Sequence, residues 1–379
     1  MVSIRKRLSR LTWVRIVRMA ALILLFFVGF DIVLAKAQYV VVPSLGRRNP
    51  KDSSAYVQLC YESLPKKASH KRIFFFGDST VQGSTRILQE DAIPAQLEVE
   101  LRKRPGWEDV RVYNFGLVGA LPVDLLTAFL MFREHECTAV VIEVSHRKFG
   151  TGNDGPKRIS FLSLLSNFDR STLEASPPLG DIYHTRGILA RWPESLTLAL
   201  RRVWFFYRFR GVWRGYFHTY DFKRRVGGKR KHKQILGWQS GLVKLIRFIP
   251  LRNIYIPSAE TVQDKDDPSA KIFKRIFEIA EENNIALKIF LGPFDFKFMV
   301  EELEIDVSAG KDAIVRLNRI FGELMEPMPP GWDFGDYTES LEYQVNFIDQ
   351  EHLIADGCGK LAKLLADDFF SEPALKKTK

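Results

Sequence analysis

The sequence predicts an α/β protein built on a parallel sheet with helices on both faces. Two short, continuous apolar segments, residues 72–76 and 139–144, have the composition of strands buried on both sides in a parallel sheet. Amphipathic helical segments alternate with these strands, and this rhythm is typical of parallel α/β proteins. A separate apolar segment precedes the whole domain.

The strand and helix elements follow one another on both sides of a long interruption. Strands are predicted at residues 72–76, 110–114, 139–144 and 286–291. Helices are predicted at residues 92–103, 122–135, 269–282, 310–325 and 356–370, where Pro122 and Pro268 occupy helix-start positions. From about residue 150 to residue 265 the rhythm is lost. We therefore expect an insertion at about residues 155–265 within a domain that covers residues 71–379.

The N-terminal segment predicts a membrane anchor. Residues 19–35 are apolar apart from Asp31, and six cations precede residue 19 without any acidic residue: Arg5, Lys6, Arg7, Arg10, Arg15 and Arg18. The length is at the short end for a membrane span. The positive-inside rule then predicts a basic cytoplasmic tail and anchor at residues 1–37, with the main domain on the periplasmic or extracellular side. A cleaved signal peptide is the alternative, because Ala35-Lys36-Ala37 resembles a cleavage site. Residues 38–70, which are rich in Pro and Gly near residue 46, are predicted to be a connector.

The composition limits the classes of partner. The formal net charge is +11 over 379 residues, and a basic-aromatic segment at residues 195–233 supplies much of that surplus. Arginines mixed with aromatic residues suit binding to a membrane interface or to an anionic polymer. The alternative is an inserted helical subdomain whose basic face is solvated. Nucleic acid is not expected for an exported domain. The three cysteines include no C-x-x-C pair, so neither a disulfide framework nor a metal site is predicted, and no cofactor is expected.

Ser79 is the first candidate catalytic residue. The sequence Gly77-Asp78-Ser79 directly follows the first apolar strand. Ligands bind outside the carboxyl ends of strands in open α/β sheets, and a helix that begins just after the serine would direct its backbone N–H groups at a developing oxyanion. An ordinary serine in a strand-to-helix turn is the alternative interpretation of this short pattern.

Asp349 and His352 form the second candidate group. A serine hydroxyl needs a base, and an imidazole near neutral pH is the usual one. A carboxylate then fixes the tautomer of that imidazole. The D-x-x-H spacing lets one loop before the last predicted helix provide both groups. The alternative is an Asp at a helix N-terminus with a surface His.

Together these motifs resemble those of the SGNH (GDSL-like) hydrolases over residues 71–150 and 268–370. Residues 76–80 correspond to the first block, residues 114–120 to the second, and residues 349–353 with Gly357 to the last. The resemblance implies a three-layer αβα, flavodoxin-like fold. It also implies that Ser79 is the nucleophile, His352 the base and Asp349 the residue that orients His352. The backbone N–H groups of Ser79 and Gly119 would form part of the oxyanion hole, although Gly119 could equally be a simple turn residue.

The third block departs from the family pattern. The family places G-x-N-D directly after the third strand, and the Asn supplies an oxyanion-hole donor. Here the strand continues into Ser145-His146-Arg147, and Gly152-Asn153-Asp154 follows several residues later. Asn153, Arg147 or His146 could supply the donor, or the donor could be absent. Loss of one such donor costs about 2.7–4 kcal/mol of transition-state stabilisation.

The anchor and the divergent domain together resemble envelope proteins that assist O-acylation of exported polymers, such as the teichoic acid D-alanyl transfer protein and alginate acetylation proteins. Residues 332–337 also resemble the corresponding segment of that subgroup. The alternative interpretation of this segment is a buried edge strand with turn residues. The resemblance implies a serine esterase or O-acyltransferase acting on an acylated envelope polysaccharide or glycolipid, beside a multi-spanning acyltransferase. A non-catalytic partner of such an enzyme, or a glycan-binding module, is the alternative, and a lipase that uses the insertion to sit on the bilayer is a third.

Overall fold

The fold is given by a computed structural model of the 379-residue chain. It describes residues 2–45, 53–83, 87, 89–145, 149, 204, 267–301, 304, 306–342, 345–347 and 351–371. The predicted insertion, apart from Trp204, lies outside the described residues.

A long N-terminal helix, α1 (Val2–Leu45), contains the apolar segment. Residues Trp13–Val33 of this helix are 21 residues long, with a mean hydropathy of 2.4, and none of this segment is buried within the protein. By length and composition the helix can cross a membrane. Trp204 of the basic-aromatic segment lies against it, with its ring centroid 6.2 Å from that of Phe27.

The domain is built on a parallel sheet of five strands. These are β1 (Arg72–Gly77), β2 (Arg111–Gly116), β3 (Ala139–Val144), β4 (Leu287–Leu291) and β5 (Asp333–Asp336). The strand order is β2-β1-β3-β4-β5, and all four pairings are parallel. All carboxyl ends therefore lie along one edge. The order reverses between β1 and β3, and such a switch point is where open α/β sheets bind ligands.

The predicted α/β class and its alternating elements are confirmed. Among the described residues, the helices of the domain are α2 (Ser53–Ser63), α3 (Ser79–Gln82), α4 (Ile93–Arg102), α5 (Pro122–Phe132), α6 (Pro268–Glu282), α7 (Phe296–Glu301), α8 (Ser308–Leu324) and α9 (Ala355–Phe369). A single 3-10 turn, Gln89–Asp91, precedes α4. Pro122 and Pro268 each stand at the first position of their helix, as predicted.

The side chains of the strands alternate between two apolar cores, one on each face of the sheet. Phe74 and Phe76 of β1 face a core that also contains apolar residues of α2, α5, α6 and α8. Ile73 and Phe75 face the other core, which is covered by α4 and α9. This period of two, with apolar residues on both faces, is the reason the strands are continuous apolar segments in the sequence.

The prediction that residues 38–70 form only a connector is wrong for its central part. Helix α1 continues to Leu45, and Ser53–Ser63 forms α2. Tyr56, Val57 and Cys60 of α2 are fully buried in the core shared with α5. The breakers at residues 43–50 indicated a connector, but they lie before Ser53, and burial of its apolar face stabilises the helix that follows them. At the opposite edge, residues 333–336 form edge strand β5.

Candidate active site

Ser79 lies at the carboxyl end of β1, where the strand turns directly into α3. Asp78 is the N-cap of α3, and its carboxylate accepts the backbone N–H of Thr80 at 2.8 Å. Asp78 is buried, with 3% of its surface exposed, whereas Ser79 is partly exposed. The cap therefore holds the turn from beneath and leaves the serine hydroxyl at the surface of the sheet edge.

The end of β2 holds α3 in place. The side-chain amide of Asn114 donates to the carbonyl of Val81 at 3.0 Å, and its oxygen accepts the N–H of Gly116 at the same distance. A Cβ on Gly116 would lie 2.3 Å from the backbone nitrogen of Gln82, so only glycine permits this approach. The Asn and the first Gly of the second sequence block thus fix the backbone that carries Ser79.

His352 reaches Ser79 across the sheet edge. Its Nε2 lies 3.0 Å from the Oγ of Ser79, within hydrogen-bond distance, although 273 residues separate the two in the chain. The loop before α9 provides the imidazole. This loop is closed by a bridge between Phe347 and Leu353 and by the N–H of Ile354, which donates to the carbonyl of Asn346 at 2.9 Å.

The start of α9 packs tightly against this loop. A Cβ on Gly357 would lie 2.4 Å from the carbonyl oxygen of Asn346. Further along, Leu361 and Leu365 of α9 are fully buried in the core shared with α4. The position of the imidazole therefore depends on the docking of α9.

The predicted orienting carboxylate, Asp349, lies outside the described residues. Glu351 is described, and its Oε1 lies 3.9 Å from the Nδ1 of His352. That distance suits an ion pair with a protonated imidazole but is too long for a hydrogen bond. Glu351 is buried, with 6% of its surface exposed.

The predicted oxyanion-hole residues are described only in part. Gly119 occupies the left-handed region with φ of 65° in the turn after β2, where the N–H of Ala120 donates to the carbonyl of Leu117 at 2.8 Å. The N–H of Leu117 donates to the carbonyl of Gly77, which places this turn next to the end of β1. Asn153, Arg147 and His146 lie outside the described residues.

Glu143 is a residue of this sheet edge that the motifs did not reveal. It is the penultimate residue of β3, is 3% exposed, and accepts the backbone N–H of Asp78 at 3.3 Å. A small cavity beside it is lined by Asp78, Ala120, Leu125, Glu143, Ser145 and Phe273. A single acidic residue within an otherwise apolar strand was the available sequence signal, since a buried carboxylate is costly unless it has a hydrogen-bonding role.

Comparison with models of protein families gives no match to this chain. Comparison with curated proteins gives none either. Among the described residues, no group of three or more His, Cys, Asp or Glu side chains could hold a metal ion.

Proposed function

We propose that the protein is a serine-dependent esterase or O-acyltransferase with Ser79 as its nucleophile and His352 as its base. The supporting observation is the 3.0 Å contact between the Oγ of Ser79 and the Nε2 of His352 at the switch point of the parallel sheet. A hydroxyl within hydrogen-bond reach of an imidazole is the arrangement that nucleophilic catalysis requires. The strand order and the position of the serine also support an SGNH-type, flavodoxin-like fold.

The reaction would proceed in two steps. The Oγ of Ser79 attacks the carbonyl carbon of an ester while His352 takes the hydroxyl proton. The bond between the carbonyl carbon and the alcohol oxygen breaks, and His352 returns the proton to the leaving alcohol. A second hydroxyl then attacks the acyl group on Ser79 while His352 takes its proton. The bond between the carbonyl carbon and the Oγ of Ser79 breaks, and His352 returns the proton to that Oγ. Water as acceptor gives hydrolysis, and a sugar hydroxyl gives transfer.

The carbonyl oxygen would be stabilised by backbone N–H groups beside Ser79. In this proposal the N–H of Ser79, in the first turn of α3, and the N–H of Gly119 are the donors. Asn153 or Arg147 would add a third, and Asp349 would orient His352.

The substrate we propose is an acylated polysaccharide or glycolipid of the cell envelope. The apolar helix Trp13–Val33 would hold the domain at a membrane surface, on its periplasmic or extracellular side. Contact between Phe27 of that helix and Trp204 supports a membrane-facing role for the basic-aromatic segment. A multi-spanning acyltransferase is the partner we propose on that membrane.

Labelling with a fluorophosphonate probe tests the proposal. The full-length protein in detergent should be labelled at Ser79, and Ser79→Ala should abolish labelling. The exposed serine Ser340 provides the matched control, since Ser340→Ala should leave labelling unchanged. Absence of labelling from about pH 6 to 9, where an ordinary imidazole becomes a base, would contradict catalysis and favour a binding role.

The two residues should also act as a unit. Ser79→Ala and His352→Ala should each remove most of the esterase activity towards a model acetyl ester. The double variant should lose little more than either single one, because nucleophile and base contribute to the same step. Losses that multiply in the double variant would mean that the two residues do not form one catalytic pair.

A further inference from the structure

Glu143 occupies the position of the sheet where the strand order reverses. Its strand, β3, lies between β1 and β4, and Glu143 pairs with Phe290 of β4. Val141, two residues earlier, faces the core covered by α9, so Glu143 projects on the same side of the sheet as that helix. This is the side from which the loop carrying His352 approaches Ser79.

Two glycines on the neighbouring strands make room for the carboxylate. A Cβ on Gly77, at the end of β1, would lie 2.4 Å from the Cγ2 of Val81 and 3.0 Å from the Oε2 of Glu143. A Cβ on Gly292, directly after β4, would lie 2.5 Å from its Oε1. A side chain at position 292 would thus collide with one carboxylate oxygen and one at position 77 would crowd the other. The carboxylate therefore sits in a slot between the ends of three adjacent strands.

Within this slot Glu143 contacts the backbone that carries the nucleophile. Its Oε2 accepts the N–H of Asp78, the residue immediately before Ser79. The N–H of Thr80, two residues further along the chain, donates to the carboxylate of Asp78. The backbone N–H groups of the residues on either side of Ser79 are thus each held by a different carboxylate.

We propose that Glu143 is a positioning residue for the reaction of Ser79. Its carboxylate acts as a clamp from β3 that sets the backbone conformation of residues 78 and 79, and with it the direction of the Oγ toward His352. The role is defined only if Ser79 is the nucleophile, and to that extent it rests on the proposed function. Glu143 need not touch the substrate, because it acts through the Asp78 N–H.

Two isosteric variants separate this role from a purely structural one. Glu143→Gln keeps an oxygen that can accept the Asp78 N–H, and the full-length protein should be labelled by the fluorophosphonate at nearly the wild-type rate. Glu143→Leu keeps the volume but lacks the acceptor, and labelling should slow by roughly 10- to 100-fold, the effect of a small misplacement of a reacting group. Rates are compared on folded protein, with melting temperatures measured in parallel. The proposal would be overturned if both variants were labelled at the wild-type rate, or if both lost labelling rate to the same extent.

Gly292 provides a second test that leaves the carboxylate chemistry intact. Gly292→Ala should displace the carboxylate and slow labelling in the wild-type background, but should have little additional effect in Glu143→Ala, where no carboxylate remains to be displaced. Gly322→Ala is the matched control, because a Cβ there would have no atom within 4 Å. Independent effects of the two substitutions on the labelling rate would contradict the slot.

Hydrogen exchange distinguishes failure of this inference from failure of the proposed function. If the wild-type protein is not labelled at all, the proposed function fails. The rate of hydrogen exchange in the peptide covering residues 72–83 then tests whether Glu143 holds the Asp78 N–H. Glu143→Leu should accelerate exchange at the Asp78 amide and Glu143→Gln should not. Unchanged exchange in Glu143→Leu would refute the clamp whatever the outcome of labelling.

Discussion

Replacement of Gly116 by alanine should disrupt the candidate site from its neighbouring strand. The new Cβ would lie 2.3 Å from the nitrogen, 2.6 Å from the Cα and 2.9 Å from the Cβ of Gln82. Ordinary contact begins at about 3.5 Å, so the end of β2 or helix α3 must move by about 1 Å. Overpacking of this kind costs about 1–3 kcal/mol of unfolding free energy. That corresponds to a fall of roughly 2–5 °C in melting temperature for a domain of about 300 residues.

The same displacement should be visible in the reactivity of Ser79. A shift of about 1 Å in the helix that begins with the proposed nucleophile should slow fluorophosphonate labelling by roughly 100-fold on protein that is still folded. Gly359→Ala is the control, because its nearest new contact would be Gln96 at 3.8 Å, and replacement of a helical glycine stabilises by about 0.5–1 kcal/mol. An unchanged melting temperature and labelling rate in Gly116→Ala would refute the close approach of β2 and α3.

Two further predictions concern stability rather than the site. Burial and the nearby Arg72 guanidinium lower the pKa of His135, so the unfolded chain binds its proton first and stability should fall as the pH drops below about 6.5. His135→Gln should weaken the dependence of the melting temperature on pH. An unchanged dependence in this variant would contradict the assigned role of His135. Asp333→Ala should cost about 3 kcal/mol, because it leaves the buried Lys288 ammonium without its paired carboxylate. Adding Lys288→Met should restore most of the loss in denaturant unfolding, and a further loss would count against the pair.

The sheet was predictable from sequence because burial on both faces leaves little room for polar residues. The segment at residues 139–144 was predicted with its observed bounds, and Arg72–Gly77 extends the prediction by one residue. Helix α2 was not predicted, since it has only 11 residues and follows a stretch rich in Pro and Gly. Its buried face packs against α5 and the sheet, and the local sequence pattern does not reveal these tertiary contacts.

The site was predictable where chemistry demands particular residue types at particular places. A serine after a buried strand and a histidine before the last helix were identified by this logic, and the structure brings them within 3.0 Å. Glu143 was missed because its role depends on two glycines from other strands, which come together only in the folded sheet. The assignments of Asp349, Asn153 and Arg147 stay predictions, as does the oxyanion role of Gly119.

The separation of Ser79 and His352 by 273 residues has a consequence for the newly made protein. Synthesis proceeds from the N-terminus, so the serine emerges from the ribosome long before the histidine. Helix α9, which follows the histidine, must then dock on α4 before hydroxyl and imidazole can meet. In the proposed mechanism the serine is thus an ordinary, weakly reactive alcohol during translation, and it gains its base only when folding is nearly complete.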